Sequence, residues 1–156
     1  MIWNLLFPVR FACFIKIPQP VKIFLEKSVL YEALSAFHSE KTPVIVATSA
    51  FGMGIDRRDV RLVVHFSLPL SIDEYWQKCG RAGRDGKKAR ATLIFSRADY
   101  LTNNNMIHGD GEYTQKRKQL EKMFRLACSE KCITQQINRY YGCEKGEKCG
   151  YCSNCR

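Results

Sequence analysis

Three groups of residues have the types and spacing to do chemistry. The first is Cys149-Gly150-Tyr151-Cys152-Ser153-Asn154-Cys155, three thiols two residues apart. Thiolates so spaced converge on one tetrahedral ion if the backbone turns tightly, and Gly150 permits that turn. A fourth ligand must come from Cys128, Cys132 or Cys143. A zinc ion held by four thiolates has no open position, so its role is structural. Six of the eight cysteines lie between Cys128 and Cys155, and such clustering points to a metal site in a reducing compartment, not to a disulfide scaffold.

The second group is Gln77-Lys78-Cys79-Gly80-Arg81-Ala82-Gly83-Arg84-Asp85-Gly86. Two arginines three apart among glycines place guanidinium groups on a loop that can approach a ligand closely. Guanidinium suits phosphate because it is always charged and binds in bidentate fashion. The third group, Ala47-Thr48-Ser49-Ala50-Phe51-Gly52-Met53-Gly54-Ile55-Asp56, follows an apolar run. If that run is a buried strand, the segment lies at its carboxyl end, where open α/β sheets bind ligands. Thr48 and Ser49 offer hydroxyls, Gly54 allows backbone approach, and Asp56 offers a carboxylate to a ribose or an arginine.

The elements that must position these groups follow from the hydrophobic pattern. Val29–Phe37 reads as a short helix with Leu30, Leu34 and Phe37 on one face. Val44–Thr48, Arg61–Phe66 and Ala91–Phe95 read as buried parallel strands. Ser71 and Glu74 form a capping box, so a helix runs from there to about Cys79. Strands alternating with helices predict an α/β fold with a parallel sheet. Asn103–Gly111 is polar and reads as a loop. Beyond it, Thr114–Ala127 reads as a helix with Leu120, Met123, Phe124 and Ala127 on one face. Cys132–Tyr141 reads as another, burying Ile133, Ile137, Tyr140 and Tyr141. The division expected is 1–34 unmatched, 35–107 α/β and 108–156 helical and metal-binding.

The chain has 156 residues, 46% of them hydrophobic, enough for a packed core and against wholesale disorder. No apolar run reaches the length of a membrane-spanning helix, so no membrane partner is expected. A formal charge of +10 favours a polyanionic partner, with nucleic acid the commonest. Residues 78–90 carry Lys78, Arg81, Arg84, Lys87, Lys88 and Arg90 against Asp85 alone. Lys116, Arg117, Lys118, Lys122, Arg125 and Lys131 form a second basic cluster. Such clusters bind phosphates without regard to base sequence.

Taken in order, A-T-S-A-F-G-M-G-I-D, H-F-S-L-P, Q-K-C-G-R-A-G-R-D-G and the cysteine cluster resemble the RecQ family of DNA helicases. The resemblance runs from about Phe37 to Arg156. It implies a partial RecA-like sheet carrying helicase motifs V and VI, followed by a small helical zinc-binding subdomain. It also implies the zinc set Cys132, Cys149, Cys152 and Cys155, with Cys128 and Cys143 outside it. The activity implied is ATP-driven 3′ to 5′ unwinding of single-stranded DNA or duplex with a single-stranded tail. In that role Arg84 is the arginine finger, Arg81 its helper, and Gln77 links ATP state to DNA. Asp56 and Gly54 lie near the nucleotide, and Thr48, Ser49 and Lys78 near the strand. The location implied is the nucleus, or the bacterial cytoplasm and nucleoid, with repair or recombination proteins as further partners.

The sequence contains no Gly-x-x-x-x-Gly-Lys-Ser/Thr loop and no Asp-Glu-x-His box. ATP and magnesium would therefore need a first RecA-like domain, and the chain alone is expected to be inactive. Residues 1–34 do not continue the family pattern. The chain reads as a truncated product whose first thirty or so residues are foreign to the fold. The competing reading is a non-enzymatic, zinc-stabilised module that grips DNA or docks a partner.

Overall fold

The computed structural model describes residues 11–14, 27–39, 41–47, 57–108, 111–143 and 147–156. Strand β1 (Phe11–Phe14) is followed by helix α1 (Lys27–His38), β2 (Val44–Ala47) and β3 (Leu62–His65). Then come α2 (Ile72–Cys79), β4 (Arg90–Leu93), α3 (Arg97–Ile107), α4 (Tyr113–Ala127) and α5 (Ile133–Tyr140). The four strands form one parallel sheet in the order β2-β1-β3-β4. This is the α/β architecture expected, with one strand more.

That strand is the main correction. The sequence pattern sets residues 1–34 outside the fold. Instead Phe11–Phe14 occupies an interior position of the sheet, pairing with Val44–Ala47 on one side and Leu62–His65 on the other. Helix α1 also begins inside that segment, at Lys27. A four-residue apolar run offers no periodicity to read, and only its pairing partners identify it as a strand.

A second correction concerns Asn103–Gly111, expected as a loop. Residues up to Ile107 belong to α3, which starts where the N–H of Ser96 donates to the Asp99 carboxylate at 2.8 Å. Its three consecutive asparagines are weak helix formers, but tertiary contacts override the propensity. Asn103 is 2% exposed and its Nδ2 donates to the Leu68 carbonyl at 2.8 Å. Tyr100 packs on Phe124 with ring centroids 4.7 Å apart.

Two cores form. The smaller joins Phe37 of α1, Ile45 of β2, Val63 of β3 and Val60. The larger gathers Leu68, Ile72 and Tyr75 with Ile107, Leu120, Met123, Leu126 and Ile137. It therefore spans α2 through α5. The helices that carry the cysteine loop share one packed interior with the sheet side, and truncating any of these side chains costs roughly 2–5 kcal/mol.

Candidate arginine loop and metal centre

Helix α2 starts as its sequence dictates. Ser71 Oγ accepts from the N–H of Glu74 at 3.0 Å. The Glu74 carboxylate accepts in return from the N–H of Leu70 at 2.8 Å, one residue before the cap. The same carboxylate holds Lys78 Nζ at 2.6 Å. Lys78, expected to touch the strand, is thus committed to an ion pair one turn back along its own helix.

The helix ends in tight turns that lead straight into the arginine loop. The N–H groups of Gly80, Arg81 and Ala82 donate to the carbonyls of Trp76, Lys78 and Cys79. The loop is then tied to the segment before β3. The N–H of Gly83 donates to the Val60 carbonyl at 2.9 Å, and that of Asp85 to the Arg58 carbonyl at 3.1 Å. Arg61 pairs with Asp85 and holds the Asp85 carboxyl below the ordinary carboxylate range. Gly83 has φ +67°, and a Cβ there would lie 2.9 Å from the Lys87 carbonyl oxygen. Only glycine fits. Arg84 Nε donates to the Gly80 carbonyl at 3.1 Å, closing the loop on itself. Arg81 is half-buried, whereas Gln77 and Arg84 are exposed. Thr48, Ser49, Gly54 and Asp56 lie outside the described residues.

Behind α2, His65 is 1% exposed and packs on Tyr75 with ring centroids 5.0 Å apart. Its Nε2 lies 3.6 Å from Cys79 Sγ. Burial pushes the His65 pKa down to about 4, Lys78 adds to the depression and Glu74 opposes it. Burial pushes the Cys79 thiol up to about 12. His65 is thus a packed interior group, and the half-buried Cys79 thiol stays protonated at neutral pH.

The structure brings Cys132, Cys149, Cys152 and Cys155 together, their sulfurs all within 4.8 Å of one another. Cys132 is the residue that precedes α5. Gly150, at φ +73°, makes the turn between Cys149 and Cys152. Three sulfur pairs lie at 3.4, 3.9 and 4.0 Å. A tetrahedral zinc with bonds of about 2.3 Å requires edges of about 3.8 Å, so the donor set fits that ion. The N–H of Cys149 donates to Cys132 Sγ and that of Cys152 to Cys149 Sγ, each at 3.4 Å. Such bonds favour thiolate, and the Cys149 amide is the largest cause holding the Cys132 thiol below its ordinary value. Asn154 Nδ2 donates to the carbonyls of Ser129 and Lys131 and fastens the loop to the turn before α5. Cys128 and Cys143 are exposed and outside the cluster.

Sequence reasoning missed a clamp between the two sites. Tyr141, expected on the buried face of the last helix, lies just past its end and is 48% exposed. Its hydroxyl is 3.0 Å from Asp73 Oδ1, and that of Tyr140 is 2.5 Å from Asp73 Oδ2. The sequence marks Asp73 only as part of a helix start. The one available signal is two adjacent tyrosines, whose hydroxyls need partners when half-buried.

The comparisons agree with this geometry. A family described as helicase conserved C-terminal domain matches residues 23–86, and one described as RecQ zinc-binding matches residues 97–156. The chain is 37% identical over 135 residues to ATP-dependent DNA helicase RecQ of Bacillus subtilis, covering 84% of this chain and 23% of that protein. It is 37% identical over 140 residues to ATP-dependent DNA helicase hus2/rqh1 of Schizosaccharomyces pombe, covering 82% of this chain and 10% of that protein. Among solved structures, that of E. coli DEAD-box protein SrmB bound to regulator of ribonuclease activity A is similar, with TM-score 0.51 and 25% identity. The likeness covers 60% of this chain and 65% of that one. The chain thus spans less than a quarter of the length of these two curated relatives. A parallel sheet presenting a glycine-set arginine loop, followed by helices that share a core with α2 and carry four clustered cysteines, is what the helicase C-terminal and RecQ zinc-binding families match in turn, and the chain belongs to the RecQ family.

Proposed function

We propose that the chain serves an ATP-dependent DNA helicase of RecQ type, as the half that senses and completes the nucleotide site. The observation that carries this reading is the arginine loop. Its backbone is tied to Val60 and Arg58, and its turn admits only glycine at position 83, so Arg81 and Arg84 are presented from a fixed base. Preorganised guanidinium groups act where charge develops on a transferring phosphoryl group. ATP with magnesium would be cradled by a first RecA-like domain, and the γ-phosphate would meet Arg84, with Arg81 beside it. Gln77, exposed on the same turn, would relay nucleotide state to the strand side, and Asp56 with Gly54 would border the nucleotide.

DNA would be gripped through Thr48 and Ser49, with the basic clusters of residues 78–90 and 116–131 adding salt-dependent affinity. Lys78 would contribute by its charge, its amine being held by Glu74. Zinc on Cys132, Cys149, Cys152 and Cys155 would close the last unit as a folding element without chemistry of its own. The sheet and its helices, from β1 at Phe11 to about residue 107, would form the motor part and 108–156 the zinc part. Work on chromosomal DNA, alongside repair or recombination proteins, would put such a protein in the nucleus or the bacterial nucleoid.

The test joins this chain to a RecA-like domain that bears the phosphate-binding loop. Arg84→Ala should leave affinity for tailed DNA within about twofold and lower DNA-stimulated ATP turnover on the order of 10³-fold. DNA affinity that falls in step with turnover would instead favour a simple binding module.

A further inference from the structure

Two short helices meet at one carboxylate. Helix α5 begins immediately after Cys132, one of the clustered thiols, and ends at Tyr140. Helix α2 ends at Cys79, where the chain turns into the arginine loop at Gly80. Tyr140 and Tyr141, at the end of α5, reach Asp73 in the first turn of α2, and each hydroxyl takes a different oxygen of that carboxylate. The sulfur cluster, α5, Asp73, α2 and the arginine loop are thus linked in series. Each helix has eight residues, so about 12 Å of stiff rod lies between its ends.

The start of α2 is capped without Asp73. Ser71 accepts from the N–H of Glu74, and Glu74 accepts from the N–H of Leu70 and pairs with Lys78. Asp73 takes part in none of these bonds; its carboxylate goes to two tyrosines 67 and 68 residues further along the chain. Below it, Ile72 and Tyr75 of α2 share a core with Ile137 of α5. Burial of that kind is non-directional and lets one helix slide or tilt on the other. Two hydrogen bonds to one carboxylate are directional and fix the slide. Lys122 of α4 lies 5.5 Å from the centroid of the Tyr140 ring and steadies the tyrosine in turn.

At its far end the arginine loop is anchored by the N–H groups of Gly83 and Asp85 on Val60 and Arg58. A tilt of α2 moves Gly80 against that anchor and carries with it Arg84, whose Nε donates to the Gly80 carbonyl. Misplacing by about 1 Å a group that meets a reacting phosphoryl can cost on the order of 100-fold in rate. We infer that Asp73 is a positioning residue: through Tyr140 and Tyr141, the zinc unit sets the angle of α2 and thereby the place of Arg84. The inference rests on the helicase reading and gives the zinc unit a part in nucleotide turnover beyond its own folding.

The experiment combines Tyr140→Phe with Tyr141→Phe, which removes both hydroxyls and leaves α2, the aromatic rings and every cysteine in place. In the zinc-loaded chain, amide exchange at Gly83 and Asp85 should quicken roughly tenfold, since loop amides open locally. Asp73→Asn, which keeps one acceptor, should give a smaller rise. A clamp that only adds overall stability would speed the amides of the sheet, such as Ile94 on the His65 carbonyl, and leave the two loop amides at the parent rate. That result overturns the proposal. With the chain joined to a RecA-like domain that bears the phosphate-binding loop, the double variant should lower kcat for DNA-stimulated ATP turnover roughly tenfold, with KM for ATP and affinity for tailed DNA within about twofold. An unchanged kcat, beside an Arg84→Ala variant that has lost turnover, overturns the positioning role and leaves the helicase reading standing. Full turnover in both variants overturns the helicase reading and the positioning role with it.

Discussion

The hydroxyl of Tyr140 lies 2.5 Å from Oδ2 of Asp73, joining the end of the last helix to the start of the helix that launches the arginine loop. Tyr141 reaches the other oxygen of the same carboxylate at 3.0 Å. Each bond is solvent-accessible, so each contributes about 1 kcal/mol after screening. Asp73→Ala removes both and should cost about 2 kcal/mol in urea unfolding, whereas Tyr140→Phe should cost about half that. Equal, near-zero effects for both would show that the clamp does not form in solution.

The same clamp has a pH signature. Its hydrogen bond to Asp73, helped by burial, raises the Tyr140 pKa to about 12, and the Tyr141 pKa is raised as well, chiefly by burial. The folded state then holds these protons more tightly than the unfolded one. Stability is full below about pH 10, the ordinary tyrosine value, and is lost as pH rises toward 12. Thermal melts between about pH 9 and 11.5 should fall less steeply for Tyr140→Phe than for the parent protein. Parallel curves would contradict the shift.

His65 predicts the opposite limb. Unfolded, it takes a proton near 6.5, but folded it resists until about 4. Stability is therefore complete above about pH 6.5 and declines as pH falls toward 4, by on the order of 3 kcal/mol. Zinc release also occurs on acidification, so the comparison that isolates His65 is His65→Phe, which should flatten part of this decline. An unchanged slope would mean that the buried imidazole accepts its proton at an ordinary pH.

Gly83→Ala tests the arginine loop. The left-handed backbone at φ +67° costs alanine roughly 1–2 kcal/mol, and contact with the Lys87 carbonyl adds to it. The loss should appear as faster amide exchange at position 83 and at Asp85, whose N–H groups are held by Val60 and Arg58. Exchange no faster than in the parent would remove the claim that this turn requires glycine.

Much of this is legible in the residues. Strands β2, β3 and β4 announce themselves as apolar runs, and Ser71 with Glu74 marks the start of α2. The Cys-x-x-Cys-x-x-Cys spacing marks three of the four clustered sulfurs without any fold, and the RecQ resemblance supplies Cys132 as the fourth. The losses have physical causes. Phe11–Phe14 is too short to show a period and acquires its identity from two neighbouring strands. Helix α3 runs against local propensity because Asn103 satisfies a buried carbonyl 35 residues away. Tyr141 faces Asp73 in solvent instead of the core because its hydroxyl finds a carboxylate there. Each miss is a long-range partner that spacing along the chain does not encode.

The most direct test of the metal centre and of the unit built on it is native mass spectrometry of the purified chain, with zinc quantified. One zinc per chain is expected, retained in Cys128→Ser and Cys143→Ser. It should be lost in Cys152→Ser and Cys132→Ser, with a lower melting temperature, because a structural zinc contributes folding energy outright. A chain that holds no zinc, or melts at the same temperature after chelation, would contradict the four-cysteine site.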